Sequence, residues 1–229
     1  MEFIIILVVL TLIYIFLKIV FCVKIKKLKQ FGKDEYLDKV VSKYPENTQI
    51  CEEILKKVNN NTVKIEEDPN ANTTLYLVMS NKIFIANLNK SYTRIQTIAH
   101  ECLHSIQDKK ILWSNFLFSN IYLIYFIIIA ILGILKILPY KMLFLAIFLV
   151  LGLVYYSIRT YLENDAMIKA RFLAEEYMKE KGISSKDEIE SLVKKYDELN
   201  DIGIKFTNFK FFEGIIIKAV ILSFIFMIF

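Results

Sequence analysis

The chain has 229 residues, of which 55% are hydrophobic, and a formal net charge of +5. This apolar fraction is higher than that of an ordinary soluble domain, and it is concentrated in blocks. No motif of interleaved aromatic and basic residues accompanies the positive charge, which argues against a nucleic-acid-binding protein. The composition therefore indicates an integral membrane protein with polar segments between its apolar blocks.

Four apolar blocks predict membrane helices, since about 20 apolar residues cross the hydrocarbon core. They comprise residues 3–22, 111–135, 142–158 and 211–229. The first follows Met-Glu, is long, and precedes no small-x-small cleavage site, so we interpret it as a retained anchor and not a signal peptide. The last contains Glu213 and Lys218. It is predicted to span, with an interfacial position as the alternative, because a lysine near one end can reach the headgroups.

The orientation follows from a basic cluster directly after the first block. It consists of Lys24, Lys26, Lys27, Lys29 and Lys33. The positive-inside rule places such a cluster in the cytoplasm. We therefore predict a multi-pass protein of the cell membrane whose polar segments 24–110 and 159–210 both lie on the cytoplasmic side, where the lysines contact lipid headgroups.

These segments divide the chain into five parts. We predict a transmembrane anchor (1–23), an α+β half of a cytoplasmic domain (24–110), a transmembrane hairpin (111–158), cytoplasmic helices (159–210) and a C-terminal transmembrane or interfacial helix (211–229). The predicted fold class is mainly α, with integral-membrane helices and a small α+β cytoplasmic domain.

Within the polar segments, periodicity and turn residues predict the elements. Residues 62–68 and 74–88 are rich in strand-forming side chains, with a turn at Ser80-Asn81. Helices are predicted from Asn47, which could cap the first, and after Asn89 or Ser91. Two further polar helices follow the hairpin; the first stops at Gly182 and the second is capped by Ser184 or Ser185. The helix after Ser91 has a predicted buried stripe of Ile95, Ala99, Cys102 and Ile106.

The stretch TIAHECLHSIQ, residues 97–107, contains both histidines of the chain, His100 and His104, and between them Glu101. Residues four apart on a helix differ by only about 40° in direction, so both imidazoles can reach one metal ion. Glu101 is offset by about 100° from His100, which suits a general base beside the metal. This HExxH pattern predicts His100 and His104 as Zn²⁺ ligands and Glu101 as the catalytic base. The alternative is an amphipathic helix with two incidental histidines.

A catalytic zinc needs a third protein ligand, and a third histidine does not exist in the sequence. We predict Glu163, because Ala166, Ala170 and Ala174 follow it along one helix face and permit close approach to another helix. The alternative for Glu163 is a surface carboxylate paired with Arg159. Asp165 points in a different direction and is predicted to pair with Lys169 instead.

The three cysteines, Cys22, Cys51 and Cys102, form no CxxC pair and no even disulfide set. We interpret them as packing residues in a reducing compartment. Cys102, two residues from each histidine, lies on the wrong helix face to be a ligand.

The order of motifs resembles a known family. SYTRIQTIAHECLHSIQD, preceded by KIFIANL and followed by a two-span hairpin and ENDAMIKA, is similar to the bacterial membrane-bound neutral zinc metallopeptidases of the YugP type. The likeness covers most of residues 1–175. It implies that the small α+β cytoplasmic domain is zincin-like, with His100, His104 and Glu163 as zinc ligands and Glu101 as the base.

The leading hypothesis is thus a membrane-anchored zinc endopeptidase (a hydrolase) that cleaves peptides or membrane proteins at the cytoplasmic surface. The alternatives are a non-catalytic scaffold or partner-binding protein with a structural zinc, and, more weakly, a transporter subunit. KIFIANL is predicted either to pair with an extended substrate or to be an internal strand. Tyr92, Arg159 and Tyr161 are the candidates for stabilising the oxyanion. The sequence indicates neither a particular substrate nor an oligomeric state.

Overall fold

The computed structural model describes residues 2–21, 34–88 and 91–229. The lysine cluster at 24–33, Cys22 and the predicted cap Asn89 lie outside the described residues. In chain order the elements are α1 (Glu2–Val20), α2 (Glu35–Val41), α3 (Asn47–Lys57), β1 (Lys64–Asp68), β2 (Leu75–Leu77), β3 (Lys82–Ala86), α4 (Arg94–Ile106), α5 (Lys109–Ile134), α6 (Lys141–Lys181) and α7 (Lys186–Ile228). The described chain is mainly helical, with one small sheet.

The chain divides into two compact units. One, here called the apolar unit, comprises 1–23, 113–161 and 205–229, and the other, the polar unit, comprises 24–112 and 162–204. The divisions at 112/113 and 161/162 fall close to the predicted segment ends at 110 and 158. The division at 204/205 falls before the predicted end at 210.

Four helices, α1, α5, α6 and α7, are long and apolar enough to cross a membrane. In the apolar unit their side chains form a cluster in which the Tyr122 ring stacks on Phe148 and Tyr155. Gly152 packs so closely that a Cβ there would lie 3.0 Å from the Ile215 side chain. The C-terminal block therefore belongs to a helix that meets the length and apolarity needed to span.

Two pairs of predicted helices are each one continuous helix. The third apolar block and the polar helix after it form the 41-residue α6, and the last polar helix and the C-terminal block form the 43-residue α7. The prediction of separate helices was wrong, because no proline interrupts either stretch and each glycine in a helix costs only about 1 kcal/mol. The predicted stop at Gly182, which has a φ of +60°, is confirmed. Of the two predicted N-caps of the next helix, Ser184 and Ser185, it is Ser185 that forms a capping box with Glu188.

The sheet has the order β1-β3-β2, with β1 parallel and β2 antiparallel to β3. The predicted strands are confirmed, and Asn81 turns the chain between β2 and β3 with a φ of +47°. KIFIANL supplies β3, which is paired on both sides. It is therefore an internal strand, and the idea that it pairs with a substrate is wrong because its main-chain groups face β1 and β2.

The core of the polar unit packs α2, α3, α4 and β3 with the polar ends of α6 and α7. Ile95, Ala99 and Cys102 are fully buried as predicted, whereas Ile106 at the end of α4 is 46% exposed. Asn47 is the first residue of α3 and makes no capping bond to it. Its side chain instead donates to Glu67 and accepts from the buried Arg94.

Candidate metal centre

Helix α4 places the two histidines on one face, as the four-residue spacing requires. Their Nε2 atoms lie 3.0 Å apart, with the rings nearly perpendicular. Both side chains are largely withdrawn from solvent, with 18% of His100 and 11% of His104 exposed. The histidines therefore converge through the same ring nitrogen, which is the arrangement that two ligands of one ion need.

Glu163 on α6 completes the group. Its Oε2 lies 3.3 Å from His100 Nε2 and 3.7 Å from His104 Nε2, and 12% of its side chain is exposed. The alanine stripe that predicted it, Ala166, Ala170 and Ala174, is fully buried in the same core cluster as α4. Glu163 is thus a partly buried group beside the histidines and not a surface carboxylate.

The three side chains could hold a metal ion, since their donor atoms lie within 4.8 Å of one another. Zn–N and Zn–O bonds of about 2.1 Å in a tetrahedron place ligand atoms about 3.4 Å apart. The three separations, 3.0, 3.3 and 3.7 Å, are distributed around that value. Two imidazoles and one carboxylate are also a donor set that zinc accepts, so the residues present fit such an ion.

Gln107 orients His104. Its side-chain nitrogen donates to the Leu162 carbonyl at 2.8 Å and to Asp165 Oδ2 at 3.1 Å. The amide oxygen therefore faces His104 Nδ1, 2.8 Å away, and can only accept. Nδ1 must carry the hydrogen, which leaves the lone pair of Nε2 directed at His100 and Glu163.

Asp165 is not a member of the metal-binding group in the described residues. As predicted, it pairs with Lys169, with 2.6 Å between Oδ1 and Nζ. Its second oxygen accepts from Gln107. Burial alone would raise the pKa of the Asp165 carboxyl, but hydrogen bonds from Lys169 and Gln107 lower it below its ordinary value. Asp165 therefore supports the centre through Gln107.

Glu101 is held on the other side by the sheet. Its Oε2 accepts a hydrogen bond of 2.6 Å from the main-chain N–H of Tyr76 in β2. The side chain is buried, and burial raises the pKa of its carboxyl against the opposing influence of His100, His104 and the Tyr76 N–H. Its charge interacts with both histidines and Glu163, which places Glu101 beside the group without making it a member.

The charges of the group also act on His104. Burial lowers the pKa of the imidazole, but the hydrogen bond and charge of Glu163, with smaller contributions from Glu101 and Gln107, raise it above its ordinary value. A cationic imidazole is thus favoured where no other cation compensates the carboxylates. The carboxylates of Glu163 and Glu101 therefore favour a positive charge at this site.

Among the remaining sequence candidates, the described cysteines and Tyr92 lie in the core of the polar unit. Cys102 is fully buried with its Sγ 3.7 Å from that of Cys51, so both described cysteines are packing residues. Tyr92 is fully buried and stacked on Tyr196 in the core, which removes it as an oxyanion donor. Arg159 lies over the Phe211 ring in the apolar unit, and Tyr161 is 59% exposed. Arg159 and Tyr161 stay predicted candidates for stabilising the oxyanion.

We compared the chain with known protein families, with curated proteins and with solved structures. None of them matches. The resemblance to the YugP-type metallopeptidases therefore stays an expectation drawn from the motifs of the sequence.

Two contacts at the candidate site were not predicted from the sequence. Gln107 follows His104 by three residues and therefore shares its helix face, so its spacing in HxxQ was a usable signal. The contact of Tyr76 with Glu101 joins residues 25 positions apart through a main-chain N–H. Every residue except proline has a main-chain N–H, so the identity of the side chain at position 76 does not predict this bond.

Proposed function

We propose that this protein is a membrane-anchored, zinc-dependent endopeptidase that hydrolyses peptide bonds near the cytoplasmic membrane surface, with a zincin-like polar unit. The observation that carries the proposal is the convergence of His100, His104 and Glu163 beside the buried carboxylate of Glu101. A surface position agrees with the sequence, since α5, which could span a membrane, begins at Lys109, two residues after the motif.

Each residue has a distinct role in this proposal. His100, His104 and Glu163 hold the ion, which when bound lowers the pKa of water and polarises the scissile carbonyl. Gln107 keeps His104 in the tautomer that presents Nε2. Glu101 accepts a proton from the attacking water and delivers it to the leaving amine. Burial raises the pKa of Glu101, which brings a carboxylate closer to the range useful for proton transfer at neutral pH.

The metal is testable apart from catalysis. We expect about one zinc per chain in the purified full-length protein, measured by elemental analysis, because a set of two imidazoles and one carboxylate is a zinc donor set. X-ray absorption at the zinc edge gives the number of protein ligands. An open or water-filled position agrees with catalysis, whereas a fourth protein ligand favours the alternative, a structural zinc in a non-catalytic scaffold.

The enzyme claim is tested with Glu101→Gln. The variant keeps an amide of nearly the same shape but cannot take a proton, so we expect retained zinc and loss of peptidase activity. Quantitative proteomics of cells with either form should show membrane proteins or peptides that accumulate only with the variant. Glu190→Gln, an exposed carboxylate on α7, is the matched control. If zinc is bound but the level of no cellular protein or peptide changes, the proposed peptidase activity is wrong, while the proposed metal centre is retained.

A further inference from the structure

The free edge of the sheet lies at the candidate site. In the described part of the chain β2 is an edge strand, since the strand order is β1-β3-β2. Tyr76 is its central residue and lies opposite Ile83. Successive residues of an antiparallel strand direct their main-chain groups alternately toward and away from the partner strand. Because the Tyr76 N–H donates to Glu101, its N–H and carbonyl face away from β3, on the side of the metal-binding group.

Glu101 therefore holds the donor that an added strand would use. An extended peptide that pairs with β2 needs the Tyr76 N–H for one main-chain hydrogen bond and the Tyr76 carbonyl for another. The carboxylate of Glu101 stands where the peptide carbonyl would be. The hydrogen bond from Tyr76 also occupies the Glu101 carboxylate, which the proposed mechanism requires as a base. One N–H thus has two competing acceptors.

We propose that an extended peptide segment binds along the edge of β2 by taking the Tyr76 N–H from Glu101, and that this exchange releases Glu101 to act as the base. The inference rests on the proposed endopeptidase function and adds a regulatory step to it. Only a substrate long enough to lie along β2 frees the base. A short peptide leaves Glu101 hydrogen-bonded to the Tyr76 N–H.

The side chains at this edge indicate what kind of peptide fits. Leu77 at the end of β2 is 39% exposed and Met79 in the following turn is 67% exposed. These apolar side chains lie next to the main-chain groups that would bind the peptide. We therefore assign the occupant as an extended peptide with apolar side chains.

The first test compares Tyr76→Pro with Tyr76→Ala. Both remove the ring and its hydrogen bond to Asn81, but only proline removes the N–H, and an outward-facing edge position tolerates proline. The substrates are an internally quenched extended peptide with apolar side chains and a blocked dipeptide too short to reach along β2. For the wild type and Tyr76→Ala we expect a much higher kcat with the extended peptide.

In Tyr76→Pro the base is already free, so kcat for the dipeptide should rise about tenfold relative to Tyr76→Ala, as expected for loss of one hydrogen bond to a charged group. The preference for the extended peptide should shrink accordingly. Equal preferences in the proline and alanine variants would overturn the inference.

The second test uses amide hydrogen exchange at Tyr76 and needs no catalysis. In the full-length, zinc-loaded protein, Glu101→Ala should speed exchange of this amide about tenfold, while Glu101→Gln, which keeps an acceptor, should not. The extended peptide, which Glu101→Ala cannot hydrolyse, should slow the exchange again. The amides of β3, bonded within the sheet, serve as the internal control.

The two tests separate the inference from the proposed function. If neither peptide is hydrolysed by any form, the endopeptidase proposal fails, while the exchange experiment still decides whether a peptide takes the Tyr76 N–H. If the wild type hydrolyses the peptide but the peptide leaves exchange at Tyr76 unchanged in Glu101→Ala, the release of Glu101 by substrate is wrong and the endopeptidase proposal remains.

Discussion

At the scale of single residues, the candidate metal centre depends on the side-chain amide of Gln107. This amide contacts His104 at Nδ1 and not at Nε2, the nitrogen that would bind the ion. Gln107 fixes the Nδ1–H tautomer because its own nitrogen is committed to Leu162 and Asp165. We expect Gln107→Ala to weaken zinc affinity about 10–100-fold, the usual loss when an outer partner of a ligating histidine is removed. Competition with a chromophoric chelator measures the affinity.

The matched control for this variant is Gln96→Ala on the same helix, which removes a buried amide that bonds to Asn200 instead of to a histidine. It should lower stability without changing zinc affinity. Equal affinity losses in the two variants would mean that Gln107 acts only by holding α4 in place.

The two acidic residues of ENDA differ in role, although only one position separates them. Glu163 is a candidate ligand, and Asp165 acts through Gln107. Asp165→Asn should therefore weaken zinc affinity about tenfold or less, whereas Glu163→Gln, which loses a charged donor to the ion, should weaken it far more. Isothermal titration of the apo protein with zinc compares them. A larger loss of zinc affinity in Asp165→Asn than in Glu163→Gln would indicate that Asp165, and not Glu163, binds the ion.

At the scale of elements, the alanine stripe of α6 is what lets Glu163 lie beside the α4 histidines. Ala170 is fully buried in the core cluster, so Ala170→Leu must displace its neighbours. We expect a loss of about 1–3 kcal/mol in the free energy of unfolding, with weaker zinc binding as well. Thermal unfolding followed by circular dichroism detects the first. Lys179→Leu, at an exposed position of the same helix, should leave both properties nearly unchanged.

A second link between elements joins α3 to α6 through Glu53. Its oxygens accept from Tyr177 and Lys181, each at 2.7 Å, and from Gln49. Burial alone would raise the pKa of the Glu53 carboxyl, but these hydrogen bonds lower it below its ordinary value. A lowered pKa in the folded state stabilises the fold above the pKa of the unfolded state, near 4.5, and the contribution is lost as the pH falls through the folded value.

Glu53→Gln should therefore destabilise the protein at pH 7 by about 1 kcal/mol, a modest figure because the group is partly exposed. The difference from wild type should shrink as the pH falls below about 4.5. Melting temperatures measured across this range test the sign. Glu52→Gln, at an exposed neighbouring position, is the control, and a difference that grows toward low pH would contradict the argument.

The elements also show what sequence could foresee. The strands, the Asn81 turn, the Gly182 stop and the Ser185 cap were predictable because each depends on local conformational preference. The continuity of α6 and α7 was not, because the composition of each helix changes between apolar and polar where no proline ends it.

For the site, the grouping of His100 with His104 follows from helix geometry, and the proximity of Glu163 followed from the small residues beside it. The hydrogen bonds of Gln107 and Tyr76 could not be derived in the same way. They depend on how α4 packs against α6 and β2, and that packing is tertiary information.

At the scale of the whole molecule, four helices suited to spanning and a basic cluster after the first apolar block predict how the chain is arranged in the membrane. By the positive-inside rule, we predict that both polar segments lie in the cytoplasm. In this prediction the loop between α5 and α6 faces outward, and Phe229 also faces outward if α7 spans. This topology is testable residue by residue, because the chain offers exposed positions in each segment.

We predict the labelling pattern of single cysteines in a background without Cys22, Cys51 and Cys102. A membrane-impermeant maleimide added to intact cells should label Tyr140→Cys, which replaces an 80% exposed side chain in the α5–α6 loop. Lys186→Cys, at the start of α7, should be labelled only after the membrane is permeabilised. The reverse pattern would place the candidate metal centre outside the cell and contradict the cytoplasmic site.

Phe229→Cys distinguishes the two arrangements of the C-terminal block. If α7 spans, the reagent reaches this cysteine from outside in intact cells, because the helix is predicted to start in the cytoplasm at Lys186. If the block lies along the inner interface, labelling requires permeabilisation, as for Lys186→Cys. We expect the outside pattern, since the apolar end of α7 is long enough to cross and a lysine such as Lys218 can direct its charge toward the headgroups.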